Sequence, residues 1–112
     1  IKGQDGIDVS LTCENSKAIP FTPRFGLTVK LPKEYENVRY FGLGERQNLP
    51  DFQEHAVFGE YAMKVDEMRE DYIKPQESSM RCGVRWAELT DENGKGLCFE
   101  GVKRPCRCRH PR

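Results

Sequence analysis

A chain of 112 residues, 32% charged and 10% aromatic with no net charge, has room for one domain and the composition of a folded one. Lys103, Arg104, Arg107, Arg109 and Arg112 meet no acid after Gly101, which leaves a body of 13 bases against 18 acids, a poor nucleic-acid surface. No apolar run approaches the roughly 18 residues of a membrane span, and an opening at Ile1 without a basic-then-apolar leader reads as an excised or internal segment.

The first predicted strand has Ile7, Val9, Leu11 and Cys13 alternating with Asp8, Ser10 and Thr12. The second is the clearest period-two pattern of the chain, with Phe25, Leu27, Val29 and Leu31 set against Arg24, Gly26, Thr28 and Lys30. Such alternation buries one face and wets the other, as antiparallel sheets do. Pro32 closes it, and a polar connection leads to a third strand over 38–43, so the second and third are expected to form a long-looped hairpin. Residues 51–70 fit two readings. Phe58, Tyr61, Ala62, Val65 and Met68 fall at helical spacing in a helix-favouring composition. Val57, Tyr61, Met63 and Val65 also fit one face of a strand interrupted at Gly59. Finally, 82–89 and 97–100 flank a loop containing Asn93-Gly94, which predicts a hairpin closed by a type I′ turn. Prolines 20, 23, 32, 50 and 75 fall between these elements, as turn and edge prolines do.

The five cysteines, 13, 82, 98, 106 and 108, are odd in number and irregular in spacing, so they make no disulfide framework. Those at 13, 82 and 98 sit in alternating apolar patterns and read as buried thiols in a reducing, cytosolic setting. Cys106, Cys108 and His110 alternate too closely for a usual zinc site. Asp51, His55 and Ser78 or Ser79 lack the nucleophile elbow of a hydrolase triad. Glu77 and Glu88 could be proposed as a pair of catalytic carboxyl groups, but a loop-ordering Glu77 and a solvated Glu88 are the better reading. Trp86, alternating with Val84 and Cys82, is expected in the core.

The stretch Tyr72-Ile-Lys-Pro-Gln-Glu-Ser-Ser-Met-Arg-Cys-Gly-Val-Arg-Trp86 resembles a signature of the β-galactosidases of glycoside hydrolase family two. Pro23-Arg-Phe-Gly-Leu27 matches a strand that precedes it in that family. The family's Gly-x-Gly-Pro-x-Glu-x-Tyr-x-Asp-Arg loop is matched at Gly42, Gly44 and Asp51, with Glu45, Gln47, Leu49 and Phe52 in place of its proline, glutamate, tyrosine and arginine. Ser78-Ser79 stands where the family usually has Asn-Gly. The resemblance covers roughly residues 22–101. Residues 102–112 resemble nothing in it and are expected to be a disordered basic tail, leaving 1–101 as a partial domain.

The resemblance implies an all-β fold, a fragment of an antiparallel β-sandwich (the galactose-mutarotase-like supersandwich) at the C-terminal end of the enzyme. It favours strand over helix for 51–70. It implies a role beside a catalytic barrel that carries the carboxylate pair, so no catalytic residue is placed on this chain. The complete enzyme would hydrolyse terminal β-D-galactosides such as lactose with retention, using magnesium, in the cytoplasm. Gln76, Glu77 and Arg81 form the candidate loop for docking on the barrel and adjacent sandwich or for shaping the rim of the sugar pocket. A second reading is a free-standing carbohydrate-binding or protein-interaction β-sandwich, which would bind sugar or partner on its own. A third, weaker one is nucleic-acid contact through the basic tail, which would be steeply salt-dependent.

Overall fold

The computed structural model describes residues 6–12 and 25–101. The chain divides into two compact units, Ile1–Pro32 and Lys33–Arg112. In the first, neither described stretch lies in a β-ladder, and Ile7, Val9, Leu11, Phe25, Leu27 and Val29 are all exposed. The first two predicted strands are therefore not formed there. Alternation specifies which face of a strand is apolar, but a strand also needs a neighbour for its N–H and C=O groups, and alternation does not supply one. Cys13 and the 102–112 tail lie outside the described residues.

Among the described residues the second unit holds four strands, β1 (Asn37–Leu43), β2 (Phe58–Lys64), β3 (Trp86–Thr90) and β4 (Gly96–Glu100). They form one antiparallel sheet in the order β2-β1-β3-β4. The expected all-β class is found, as a single sheet of the kind that makes one leaf of a sandwich. The expected hairpin between 25–31 and β1 is absent, because β2 and β3 occupy both edges of β1.

The pleat sorts the side chains into two faces. On the inner face, Val38 and Tyr40 are 6% and 2% exposed and form the apolar core of the described residues. Tyr61 and Ala87 lie directly opposite Tyr40, and Met63 and Leu89 opposite Val38. Burying a valine-sized side chain stabilises a fold by roughly 1.5–3 kcal/mol, and β1 carries that burial at the centre of the sheet. The outer face presents Arg39, Phe41 and Leu43 from β1 with Glu60 and Phe58 from β2 and Trp86 and Glu88 from β3.

Within 51–70 the strand reading holds for Phe58–Lys64, which is β2. Gly59 stands opposite Gly42, and the Tyr61 ring leans on Tyr40 with centroids 5.6 Å apart. A helix there would leave one edge of β1 without hydrogen-bond partners. Helical composition prevails only in a short 3₁₀ turn, Val65–Met68, where the Lys64 N–H donates to Glu67 Oε2 at 2.7 Å.

The β3–β4 hairpin is found where expected, with a different turn. The N–H of Gly94 donates to the Asp91 carbonyl at 3.1 Å, and Gly94 alone has positive φ, at +74°. This is a three-residue loop in which a type I turn is followed by a left-handed glycine, so Asn93 keeps ordinary φ. Asp91 selects it, since its Oδ1 accepts from the N–H groups of Asn93 (2.9 Å) and Lys95 (2.8 Å).

Trp86 is half-buried on the outer face rather than in the core. The cause is a β-bulge: Arg85 and Trp86 together face the single Phe41, which stands opposite Trp86 in the register and accepts from the Arg85 N–H at 2.8 Å. Contact continues beyond it through Leu43 N–H to Cys82 O at 3.2 Å, with Gly83 at φ +64°, and the alternation between Cys82 and Trp86 is broken. A Cβ on Gly42 would come within 3.0 Å of the Val84 Cα, so the close approach beside the bulge needs a bare glycine.

Candidate functional site

The polar groups of the described residues concentrate where the loop after β1 meets the segment before β3. Gln47 and Asn48 are its buried polar side chains, and Asn48 is fully buried. The Asn48 amide nitrogen donates to the carbonyls of Leu43 (2.5 Å) and Arg46 (3.1 Å), and its oxygen accepts from the Cys82 N–H at 2.8 Å. Gln47 spans the same gap, donating to the Glu77 carbonyl and accepting from the Ser79 N–H, both at 3.1 Å. Each amide both donates and accepts, so each substitutes for a pair of ladder bonds where the sheet has ended. One backbone bond, Asn48 N–H to Met80 O at 3.0 Å, completes the seam.

Arg81 closes the other side. Its Nε donates to the Glu45 carbonyl at 2.9 Å and to the Tyr40 hydroxyl oxygen at 3.1 Å, while that hydroxyl donates to the Gly44 carbonyl at 2.7 Å. Burial pushes the Tyr40 hydroxyl above its ordinary pKa, against the opposing pull of the Arg81 guanidinium. Gly44 makes the turn at φ +75°, and a Cβ there would meet the Ala56 Cβ at 2.9 Å.

The three expected site residues behave differently. Arg81 is turned inward and half-buried. Glu77 is exposed, and its main-chain carbonyl is engaged by Gln47. Gln76 is exposed on the same loop. The residues that sequence reasoning missed are Gln47 and Asn48. The signal was available as two adjacent amides directly after Gly44, in a loop whose backbone groups need partners.

The remaining chemical candidates are dispersed. Glu88 lies beside Arg39 (3.9 Å) on the outer face, where Arg39 also pairs with Glu60 at 2.6 Å. Ser78 Oγ accepts from the Glu70 N–H at 2.8 Å, while His55 packs on Phe52 with ring centroids 4.8 Å apart. Among the described residues, no group of three or more His, Cys, Asp or Glu could hold a metal ion.

The cysteines depart from expectation. Cys82 is half-buried, its thiol 3.5 Å from the Asn48 carbonyl, whereas Cys98 is exposed on edge strand β4 and both are free. The Cys98 thiol is pushed above its usual pKa, first by partial desolvation and then by the carboxylates of Glu88 and Glu100. The alternation that suggested burial holds, but it points Cys98 to the outer face, across from Glu88. Cys106, Cys108 and His110 lie outside the described residues.

An antiparallel β module with loops tied by buried amides is what the geometry defines. The chain belongs to the β-galactosidase small-chain family, whose sequence profile matches residues 1–107, beyond the motif-bearing stretch at both ends. It is 34% identical over 95 residues to a β-galactosidase of Halalkalibacterium halodurans, covering 85% of this chain and 9% of that protein. It is 37% identical over 99 residues to a β-galactosidase of Lactobacillus delbrueckii subsp. bulgaricus, covering 88% and 10%. With a β-galactosidase of Oenococcus oeni the identity is 40% over 83 residues, covering 74% and 8%. The chain thus spans about a tenth of the length of the curated relatives it matches. No helix among the described residues is long and apolar enough to cross a membrane.

Proposed function

We propose that this chain serves as a non-catalytic β module of a cytoplasmic, magnesium-using β-galactosidase that hydrolyses terminal β-D-galactosides such as lactose. The observation that carries the reading is the family match over residues 1–107 by a chain that spans only 9% of a relative's length. The module's work is architectural. The amide seam fixes the loop that carries Gln76 and Glu77, and a fixed loop is what docking on a catalytic barrel or shaping a sugar-pocket rim requires. Arg81 acts as the internal brace of that loop.

The test is a graft. This chain replaces the matched segment of the Halalkalibacterium halodurans β-galactosidase, and hydrolysis of a nitrophenyl β-galactoside is measured beside a variant with the segment deleted. Activity in the graft and none in the deletion supports the reading. A graft that assembles but stays inactive overturns it, and saturable galactose binding by the chain alone would favour the free-standing carbohydrate-binding module.

A further inference from the structure

We infer that the outer face of the sheet, at its Phe41–Phe58–Trp86 end, is the surface on which the rest of a β-galactosidase chain packs. This rests on the parent-enzyme reading above and specifies its contact surface. Along β1 the two faces are unequal: the inner-face residues Val38 and Tyr40 are already covered, whereas Phe41 on the same strand is 37% exposed. Among the described residues the inner face is open only at its β4 edge, at Leu97 and Phe99. Phe58 beside it is 50% exposed, and the two rings lie 6.2 Å apart. Register places Trp86 directly opposite Phe41.

The composition of this face is that of an interface centre rather than of a solvated sheet. Aromatic side chains and arginine are the residues enriched where proteins bury surface against one another. Here the Arg39 guanidinium lies over the Trp86 ring at 5.4 Å and the Arg85 guanidinium over the Phe58 ring at 6.0 Å. Arg39 is neutralised by Glu60 and flanked by Glu88, so its burial under a partner leaves no uncompensated charge. Arg85 has no carboxylate ion pair among the described residues, so the covering surface should bring an acid to it. Towards the other end of the face, a shallow depression of about 430 Å³ is lined by apolar groups of Val38, Ala62 and Met63 together with polar ones of Arg39, Glu67 and Glu88, and leaves room for a covering side chain.

The occupant follows from length. The matched relatives carry about nine-tenths of their chain outside the region this one covers, and such a remainder is the partner the family membership supplies. Its matching surface is apolar against Phe41 and Phe58, with a carboxylate placed for Arg85.

The experiment uses the grafted Halalkalibacterium halodurans enzyme with single substitutions Phe58→Cys and Arg85→Cys, and Glu92→Cys in the exposed β3–β4 turn as the reference. Maleimide labelling under native conditions is followed by peptide mapping, so the native cysteines are read separately. The expected result is an active graft in which positions 58 and 85 label about tenfold or more slowly than 92, with equal rates after denaturation. An active graft in which 58 and 85 label as fast as 92 overturns this inference and leaves the parent-enzyme reading standing. A graft that neither assembles nor hydrolyses substrate overturns both. Having two positions guards against one substitution disturbing the fold.

Discussion

Ser79 holds a backbone angle of φ +71°, the only non-glycine residue described in the left-handed region. A side chain there costs roughly 1–2 kcal/mol, because Cβ crowds the carbonyl oxygen. The site is retained because the Ser79 N–H must point at Gln47 Oε1. Ser79→Gly is therefore expected to stabilise the protein by about 1 kcal/mol, read as a higher urea midpoint at unchanged slope. Glycine, which the resembling motif usually has at this position, adopts the same angle without that cost. A second residue-scale expectation concerns Tyr40. Its pKa is raised in the folded state, so the unfolded chain ionises first as pH climbs past its ordinary value of 10.0. The stabilisation is complete below that value and is lost as pH rises through the folded pKa. Urea midpoints should hold steady up to about pH 9 and fall beyond pH 10, with a shallower fall in Tyr40→Phe.

At the scale of elements, two glycines with nearly the same φ separate the cost of conformation from the cost of space. Gly94 has nothing within 4 Å of a Cβ, whereas Gly44 has the Ala56 Cβ at 2.9 Å and the Asn48 amide at 3.2 Å. Gly94→Ala is expected to cost about 1 kcal/mol and Gly44→Ala at least twice that, since it also displaces the Asn48 seam; urea unfolding would show the difference. β1 was legible in the sequence because local alternation and burial agree there, whereas β4, exposed throughout, was legible from its place after the turn. The hairpin was legible too, although Asn93-Gly94 named the wrong turn, since the preference Asp91 imposes through its carboxylate lies two residues upstream. The bulge was not legible. Arg85-Trp86 looks like ordinary strand until Phe41, some 45 residues away, is set against it. The amide seam escaped for the same reason: Gln47 and Asn48 acquire meaning only from carbonyls and N–H groups at 77–82.

For the whole molecule, the balance of covered and bare surface matters most. Few side chains are buried, while Phe41, Phe58, Leu97 and Phe99 are exposed on the sheet and β4 is an edge strand. Bare apolar faces and an open edge favour association. The isolated chain is expected to bind a hydrophobic dye strongly and to show a sedimentation coefficient that rises with concentration. The grafted enzyme should show neither, and a dye-silent monomer would contradict this account of the surface. Family membership was legible from the order and spacing of the motifs around Tyr72–Trp86, but which sheet face needs a partner was not, because periodicity treats two half-exposed faces alike.

The seam at Asn48 also changes what the peptide chain itself has to do. Residues 71–77 form an exposed run between two halves that are already joined by the β1–β3 ladder and by the side chains of Gln47, Asn48 and Arg81. Covalent continuity is therefore redundant at that point. A protease cut within the run should yield two peptides that stay together until denatured, and the two halves made separately should find one another, which makes this loop the natural place to split the module for complementation.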